Sequence, residues 1–290
     1  MIGLSAVSFG LITTQSRLAY DGGATPLTLA FVRPIAFVVV FGLLLVIMRR
    51  PWRLSRSGIT ATLWMAVCLL MMSIGYLGSV YFIPVSLAAL IFYTFPFYVA
   101  LLSTLTGREA MTAAKVCALL AAFGGLALAL GPSFTALDWR GVALALTAAV
   151  GVGTTIAFGG AVMRANDPLV MNVGINFWMM LVLSAYMLVS RGVVFPVTGL
   201  GTAALIGATA CYLVAFTTWL LGLRIVNPIP AAVLSNIEPL VTIAAAWLIL
   251  GEHLGPLQLL GVALVIAAII GMTLLGTTRP RAATATGDAG

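Results

Sequence analysis

Glu238 is the residue of this chain whose position most clearly demands a chemical explanation. It is the only acidic residue well inside an apolar segment, because the other six carboxylates lie at segment edges, in loops or in the C-terminal tail. An ionised carboxylate at bilayer depth costs roughly 2.5 to 3.5 kcal/mol on insertion scales, so the group must be neutral, paired or hydrated. Four roles stay open: proton carrier, partner of a substrate amine, partner of Arg33, or a structural carboxyl bonded to backbone that Pro239 frees.

Two prolines, Pro96 and Pro239, lie near the middle of long apolar segments. A proline inside a helix removes a backbone hydrogen bond and clashes with the preceding turn, so each predicts a kink. The carbonyl freed by a kink needs a partner, which favours a position against protein or a wet cavity. A plain packing kink is the alternative, but a matched pair favours gating elements around a central site.

The residues around the two prolines correspond at an offset of 143 positions. At this offset aromatic and polar side chains occupy equivalent places in the two halves, which is typical of the lining of a small-molecule site. The alternative is that the aromatic residues only pack or face lipid. The predicted substrate-binding residues are Tyr76, Tyr93, Phe95, Trp219, Asn236, Glu238, Arg33 and Asn176.

Arg33 lies about seven residues into the second apolar segment, or some 10 Å from its edge at the helical rise of about 1.5 Å per residue. Two interpretations are open for its side chain. It either extends outward to the membrane surface or meets a carboxylate ligand.

The segments that must position these residues are apolar almost throughout. Charged residues make up 7% of the 290 and hydrophobic residues 62%, with a mean hydropathy of +1.17. A globular protein has roughly 25% charged residues, so a water-facing surface is excluded for most of the chain. The composition predicts an all-α polytopic membrane protein in the lipid bilayer.

Apolar blocks bounded by Gly, Pro and charged residues predict ten transmembrane helices. Membrane strands are excluded because the blocks are longer than about 10 residues and do not alternate. The approximate spans are 2–19, 26–48, 58–81, 84–105, 112–130, 140–163, 168–190, 201–224, 228–250 and 256–276.

The helix starts in the second half repeat those of the first at offsets of 142 to 144 residues. Five helices per copy is an odd number, so the second copy enters the membrane from the opposite side, as in inverted-repeat transporters. We therefore expect a first five-helix repeat over 1–131, an inverted second repeat over 140–276, and a disordered cytoplasmic tail over 277–290.

The basic residues predict the orientation. Ten of the 14 Lys and Arg fall on one side of the predicted bundle and three on the other, with Arg33 inside a span. The positive-inside rule then places both termini in the cytoplasm.

Several classes of function are excluded by missing residue types. The single histidine, His253, lies in a loop, no aspartate lies within a span, and the chain has no phosphate-binding P-loop, so we expect no enzyme, metal site or cofactor. The positive net charge of +7 sits between apolar blocks, which argues against a nucleic-acid partner. The three cysteines are far apart and predict packing thiols.

The second half contains motifs that resemble those of a known family. These are the stretch 231–240, which reads AAVLSNIEPL, then Leu-Gly-Glu at 250–252 and PLQLLG at 256–261. The first half matches through 88–90, Pro96 and Glu109, with Arg108 inserted between Gly107 and that glutamate. The chain resembles the drug/metabolite transporter superfamily, specifically its EamA-type ten-helix exporters, over essentially its whole length.

The resemblance implies export of amino acids, other metabolites or cationic drugs, and the chain looks most similar to bacterial exporters of aromatic and neutral amino acids. The favoured hypothesis is an inner-membrane exporter that holds a small-molecule substrate between its halves and works by alternating access. Proton antiport of cationic drugs or other hydrophobic metabolites is the alternative. A passive channel and a membrane scaffold are alternatives from other classes, and monomer and homodimer both stay open.

Overall fold

The described part of the chain consists of α-helices joined by short loops. The computed structural model describes residues 1–49, 54–79, 82–83, 85–108, 110–131, 138–190, 193–250 and 255–277. Within these ranges there are twelve helices and no strand. The helices are α1 (Ile2–Asp21), α2 (Pro26–Ile47), α3 (Arg56–Ser79), α4 (Val85–Phe92), α5 (Phe95–Leu105), α6 (Ala113–Leu130), α7 (Trp139–Ala165), α8 (Pro168–Ser190), α9 (Gly199–Ile225), α10 (Pro228–Leu234), α11 (Ile237–Leu250) and α12 (Pro256–Thr277).

Eight stretches of the described chain are long and apolar enough to cross a membrane. A shorter apolar helix covers Pro256–Gly271 within α12, and α1 is not among the eight. The reason is that α1 carries several hydroxyl and amide groups among its apolar residues, and the hydroxyls of Ser5, Ser8, Thr14 and Ser16 are buried. The eight are Pro26–Ile47, Arg56–Tyr76, Leu87–Leu105, Ala113–Leu130, Trp139–Ala165, Pro168–Met187, Gly199–Ile225 and Pro228–Ile249.

Local sequence sets the helix boundaries. Thr25, Thr112, Asp138 and Thr198 each accept a hydrogen bond from a backbone N–H in the first turn of the following helix, which satisfies donors that a helix start leaves free. Gly131 ends α6 with a φ of 51°, a left-handed conformation that glycine adopts without steric cost.

The helices pack in pairs through glycines that allow backbones to approach. Helix α1 packs between α9 and α11, α3 packs against α7, α6 against α12, and α2 against α8. A Cβ added at Gly10 of α1 would lie 2.7 Å from the backbone oxygen of Glu238 in α11, and one at Gly125 of α6 would lie 2.7 Å from that of Gly261 in α12. Small residues therefore form the tightest helix contacts.

The two segments predicted to be kinked are broken into separate helices. The first breaks at the turn residues 93–94, between α4 and α5, and the second at 235–236, between α10 and α11. In both breaks, the N–H of the second turn residue donates to the backbone oxygen three residues earlier, from Thr94 to Ile91 and from Asn236 to Val233. Both breaks lie inside the bundle, where α10 packs against α5.

The helices α7 and α9 meet at one end of the bundle, here called the Arg164 end and defined by Ile2, Gly160, Arg164 and Leu223. A Cβ at Gly160 would clash with the backbone oxygen of Leu223, and Arg164 Nη1 donates to the backbone oxygen of Arg224 at 3.3 Å. Among the described residues, α1 and α3 make no comparable contact at the opposite end, called the Asp21 end. The two equivalent helix pairs therefore differ in their contacts.

Candidate functional site

The break between α4 and α5 presents aromatic rings to the interior. Tyr93 is a turn residue of this break, and Phe92 and Phe95 flank it. The ring centroids of Tyr76 and Phe92 are 5.3 Å apart, those of Phe92 and Tyr93 5.1 Å, and those of Tyr93 and Phe95 6.0 Å. These spacings lie in the range of favourable aromatic pairs. We refer to Tyr76, Phe92, Tyr93 and Phe95 as the α4–α5 aromatic cluster.

Glu238 lies in the first turn of α11, directly after the second break. The phenols of Tyr93 and Tyr76 are the electrostatic neighbours of its carboxyl group. Its backbone oxygen accepts from the hydroxyl of Thr242 at 3.1 Å, and the same hydroxyl lies 3.3 Å from the backbone oxygen of Gly10. The two helix breaks therefore bring a carboxyl group and a phenol close together.

Asn236 lies in the second break itself. It is 3% exposed, and its side-chain oxygen is buried without a hydrogen-bond partner. A buried polar atom without a partner costs about 1–3 kcal/mol. This amide is therefore a position at which a ligand or a water molecule gains a hydrogen bond that the protein does not supply.

The predicted kinks at Pro96 and Pro239 take a different form in the structure. The chain breaks before each proline, so that Pro96 and Pro239 fall in the first turns of α5 and α11. A first-turn proline loses no intrahelical bond, because its missing N–H has no partner there. The mechanism expected from the sequence, a carbonyl freed by a proline within a continuous helix, is replaced by a helix that stops and restarts.

Arg33 is held inside the bundle by α1. Its Nη2 donates to the hydroxyl of Ser16 at 2.9 Å, and the phenols of Tyr20 and Tyr212 are its electrostatic neighbours. The Nε atom is buried and has no partner. Pro34, which the sequence analysis did not consider, follows directly inside α2.

Asn176 is fully buried in α8 and bonded to α9. Tyr212 donates from its hydroxyl to the side-chain oxygen of Asn176 at 2.8 Å. The side-chain nitrogen of Asn176 donates to the backbone oxygen of Asn172 at 3.0 Å. Because Tyr212 is also a neighbour of Arg33, the sequence-predicted Arg33 and Asn176 belong to one polar group that spans α2, α8 and α9.

Trp219 connects to this group through aromatic contacts. Phe216 stacks on Tyr212 with ring centroids 5.3 Å apart, and Trp219 lies 6.0 Å from Phe216. The ring of Phe37 in α2 meets both Tyr212 and Phe216 edge-on. Trp219 is thus buried in the core of the bundle, and it belongs to the same buried cluster as Tyr93 and Phe95.

The structure therefore gathers the predicted site residues into two groups. The first contains the α4–α5 aromatic cluster and Glu238, and the second contains Arg33, Asn176, Tyr212, Phe216 and Trp219. Arg33 and Glu238 form no ion pair with each other or with any other described residue. The pairing of these two charges, one of the roles left open for Glu238, does not occur.

The sequence did not predict two polar residues here: Tyr212 of the second group, and Asn172, one turn before Asn176 in α8. Asn172 is 1% exposed, and neither of its side-chain polar atoms has a partner. Tyr212 fixes the orientation of Asn176. The spacing of Asn172 and Asn176, four residues apart in an apolar helix, is the signal that would have identified the pair, because residues i and i+4 share one face.

Two other cavities lie away from these groups. One of about 420 Å³ lies at the Arg164 end and is lined by Asn166, Asp167, Pro168, Leu169, Leu221 and Arg224. The other, of about 280 Å³, is an apolar groove between α3 and α7. Neither is lined by a residue that the sequence predicted for the site. Glu109, Glu252 and the expected tail beyond residue 277 lie outside the described residues.

The family relationship follows from comparison with known proteins. The model of the EamA-like transporter family matches residues 1–131 and 139–274. These matches cover nearly the whole chain as two repeats, so the chain belongs to the EamA-like transporter family. It is a multi-pass membrane transporter.

Solved structures share the fold. One, described only as a crystal structure of a protein, has a TM-score of 0.80 over 95% of this chain and 96% of its own, at 18% sequence identity. At that identity the likeness shows the fold alone. None of the curated proteins compared with the chain matches it.

Proposed function

We propose that this transporter exports small metabolites with an aromatic or apolar body, neutral and aromatic amino acids first among them, by alternating access between two inverted five-helix repeats. The substrate binds between the halves, at the α4–α5 aromatic cluster and Glu238. One observation carries the proposal: the two broken helices bring the phenol of Tyr93 and the carboxyl group of Glu238 close together inside the bundle. Discontinuous helices that meet in this way are how many transporters build a site at the membrane midplane.

Matched glycine contacts support the inverted repeat. A Cβ at Gly10 would meet the backbone oxygen of Glu238 and the side chain of Val241, and one at Gly153 would meet the backbone oxygen of Phe95 and the ring of Tyr98. All three positions of the first contact differ from those of the second by 143 residues. A coincidence in composition does not account for the same contact at the same spacing.

Unequal contacts between equivalent helix pairs support alternating access. In a symmetrical pair of repeats, the contact of α7 with α9 would be matched by one of α1 with α3. Helices α7 and α9 meet at the Arg164 end, and α1 and α3 make no comparable contact within the described ranges. Such a departure from two-fold symmetry is expected of a transporter in one of its two access states.

The distribution of basic residues assigns the ends to membrane sides. Arg108, Arg164 and Arg224 lie toward the Arg164 end, which the positive-inside rule places in the cytoplasm. Both termini are then cytoplasmic in a bacterial inner membrane. Under this assignment the contact of α7 with α9 lies on the cytoplasmic side.

The test is counterflow in proteoliposomes. Liposomes loaded with unlabelled phenylalanine should accumulate labelled phenylalanine transiently and with saturation, because a carrier exchanges substrate across the membrane. Tyr93→Phe should slow the exchange, whereas Tyr186→Phe, at an exposed residue of α8, should leave it unchanged. Linear uptake without counterflow would indicate a passive channel, and no uptake of any amino acid would contradict the proposal.

Proton antiport of cationic drugs is a second candidate, favoured by the unpaired carboxyl of Glu238. A carboxyl that exchanges protons makes transport depend on pH, and Glu238→Gln removes the exchangeable proton. Under this candidate the variant loses the pH dependence of drug export, measured with a quaternary ammonium substrate. Unchanged pH behaviour of the variant assigns export to the substrate gradient alone.

A further inference from the structure

Two opposite charges lie unpaired within the spanning helices. Arg33 in α2 and Glu238 in α11 have no ion-pair partner among the described residues. Isolated charges away from water are costly, and proteins keep them mainly where function uses them. A structural role would be served better if the two residues paired with each other.

The shared neighbour α1 shows why they do not pair. Arg33 bonds to Ser16 of this helix, whereas the backbone of Glu238 touches Gly10. Six residues of helix separate these contacts, which is about 9 Å along the axis. The two residues therefore meet α1 at different depths.

The guanidinium of Arg33 has N–H groups that its bond to Ser16 does not use. Of its five N–H groups, one is used by Ser16, and the Nε–H is buried without a partner. Its other polar neighbours are the phenols of Tyr20 and Tyr212, and no carboxylate of the described residues reaches it. A planar guanidinium with free donors matches the two oxygens of a carboxylate.

We infer that Arg33 binds the carboxylate of the transported substrate while Glu238, together with Tyr93, binds its ammonium group. The inference rests on the proposed function and narrows its substrate class to small dipolar molecules that carry both charges. It makes Arg33 the residue that separates amino acids from simple amines. A substrate with both charges compensates both residues at once, and a monocationic drug leaves Arg33 without an anion.

Three ligands that differ by one charged group test the inference on purified protein: phenylalanine, phenethylamine and 3-phenylpropionate. Binding is measured by isothermal titration calorimetry. The unaltered protein should bind phenylalanine at least about tenfold more tightly than either analogue, since a charge-assisted hydrogen bond contributes about 1.5–3 kcal/mol and 1.4 kcal/mol is tenfold. Equal affinity for the three ligands overturns the inference, and this comparison needs no variant.

Two variants then separate the roles. Arg33→Gln should weaken the binding of phenylalanine and 3-phenylpropionate about tenfold or more and change the affinity for phenethylamine by no more than about twofold. Glu238→Gln should weaken phenylalanine and phenethylamine and leave 3-phenylpropionate unchanged. If Arg33→Gln weakens all three ligands equally, Arg33 only shapes the site, and if it weakens none, its side chain does not meet the substrate.

The outcome is distinguishable from failure of the proposed function. Counterflow of phenylalanine by the unaltered protein together with equal binding of the three ligands would reject the dipolar site and keep the exporter. Selective binding without any counterflow would reject the exporter and keep the ligand site.

Discussion

Replacement of Gly10 by alanine tests the contact on which the position of Glu238 depends. The added methyl carbon would lie 2.7 Å from the backbone oxygen of Glu238 and 2.7 Å from Cβ of Val241, whereas ordinary contacts begin at 3.4 Å. Helices α1 and α11 must therefore separate by about 0.7 Å. Overpacking of this kind costs about 1–3 kcal/mol.

The fall in stability is measurable as a melting temperature in detergent. At about 2–4 °C per kcal/mol for a chain of this order of size, Gly10→Ala should lower the melting temperature by about 2–12 °C. Gly124→Ala is the matched control, because nothing lies within 4 Å of a Cβ at this position of α6. The control should be neutral or more stable by about 0.5–1 kcal/mol, because alanine favours a helix over glycine.

Alanine at the equivalent glycine of the other half should be less destabilising than alanine at Gly10. A Cβ at Gly153 would meet the ring of Tyr98 at 2.6 Å but the backbone oxygen of Phe95 only at 3.5 Å. A side chain gives way more easily than a backbone, so Gly153→Ala should cost less than Gly10→Ala. Equal melting temperatures for Gly10→Ala and Gly124→Ala would refute the close contact of α1 with α11 and with it the position of Glu238.

Three further substitutions have expected outcomes. Asn172→Leu removes two buried polar atoms without partners, so it should raise the free energy of unfolding by about 1–3 kcal/mol while slowing transport; a loss of stability would show that the amide is bonded. Tyr212→Phe leaves the buried side-chain oxygen of Asn176 without its 2.8 Å partner, so the free energy of unfolding should fall by about 1–3 kcal/mol, and an unchanged melting temperature would contradict this. Hydrogen bonds from Arg140 hold the pKa of Asp138 below its ordinary value. The ionised carboxylate therefore stabilises the folded state above a pH of about 3.9, and this stabilisation is lost as the pH falls below it. Asp138→Asn should reduce the fall of the melting temperature at acid pH, and an unchanged fall would exclude the contribution.

Composition and segment length were sufficient to predict the helical fold. Long apolar blocks with charges at their edges have one solution in a bilayer, because a helix satisfies its own backbone groups. The first segment shows the limit of this argument. Helix α1 forms where expected, yet it is too polar to meet the criterion for a span, because its hydroxyls face other helices instead of lipid.

The substrate-binding role of the candidate residues stays a prediction. The offset of 143 residues pairs Tyr93 with Asn236 and Phe95 with Glu238, and in the structure Tyr93 and Glu238 are neighbours. Asn172 and Tyr212 were not predicted, because neither residue is unusual by itself. Their importance depends on which helices lie beside them, and the sequence does not give the pairing of α8 with α9. Likewise, the prolines signalled an interruption, but the exact break is decided by tertiary packing.

The role of Glu238 in substrate binding is tested most directly by counterflow of phenylalanine, measured with Glu238→Gln and with the unaltered protein. In proteoliposomes with equal amounts of folded protein, the unaltered transporter should show saturable counterflow, and the variant should show a rate at least about tenfold lower at subsaturating substrate, equivalent to 1.4 kcal/mol or more. Equal counterflow by the two proteins would contradict the placement of the substrate between the two broken helices.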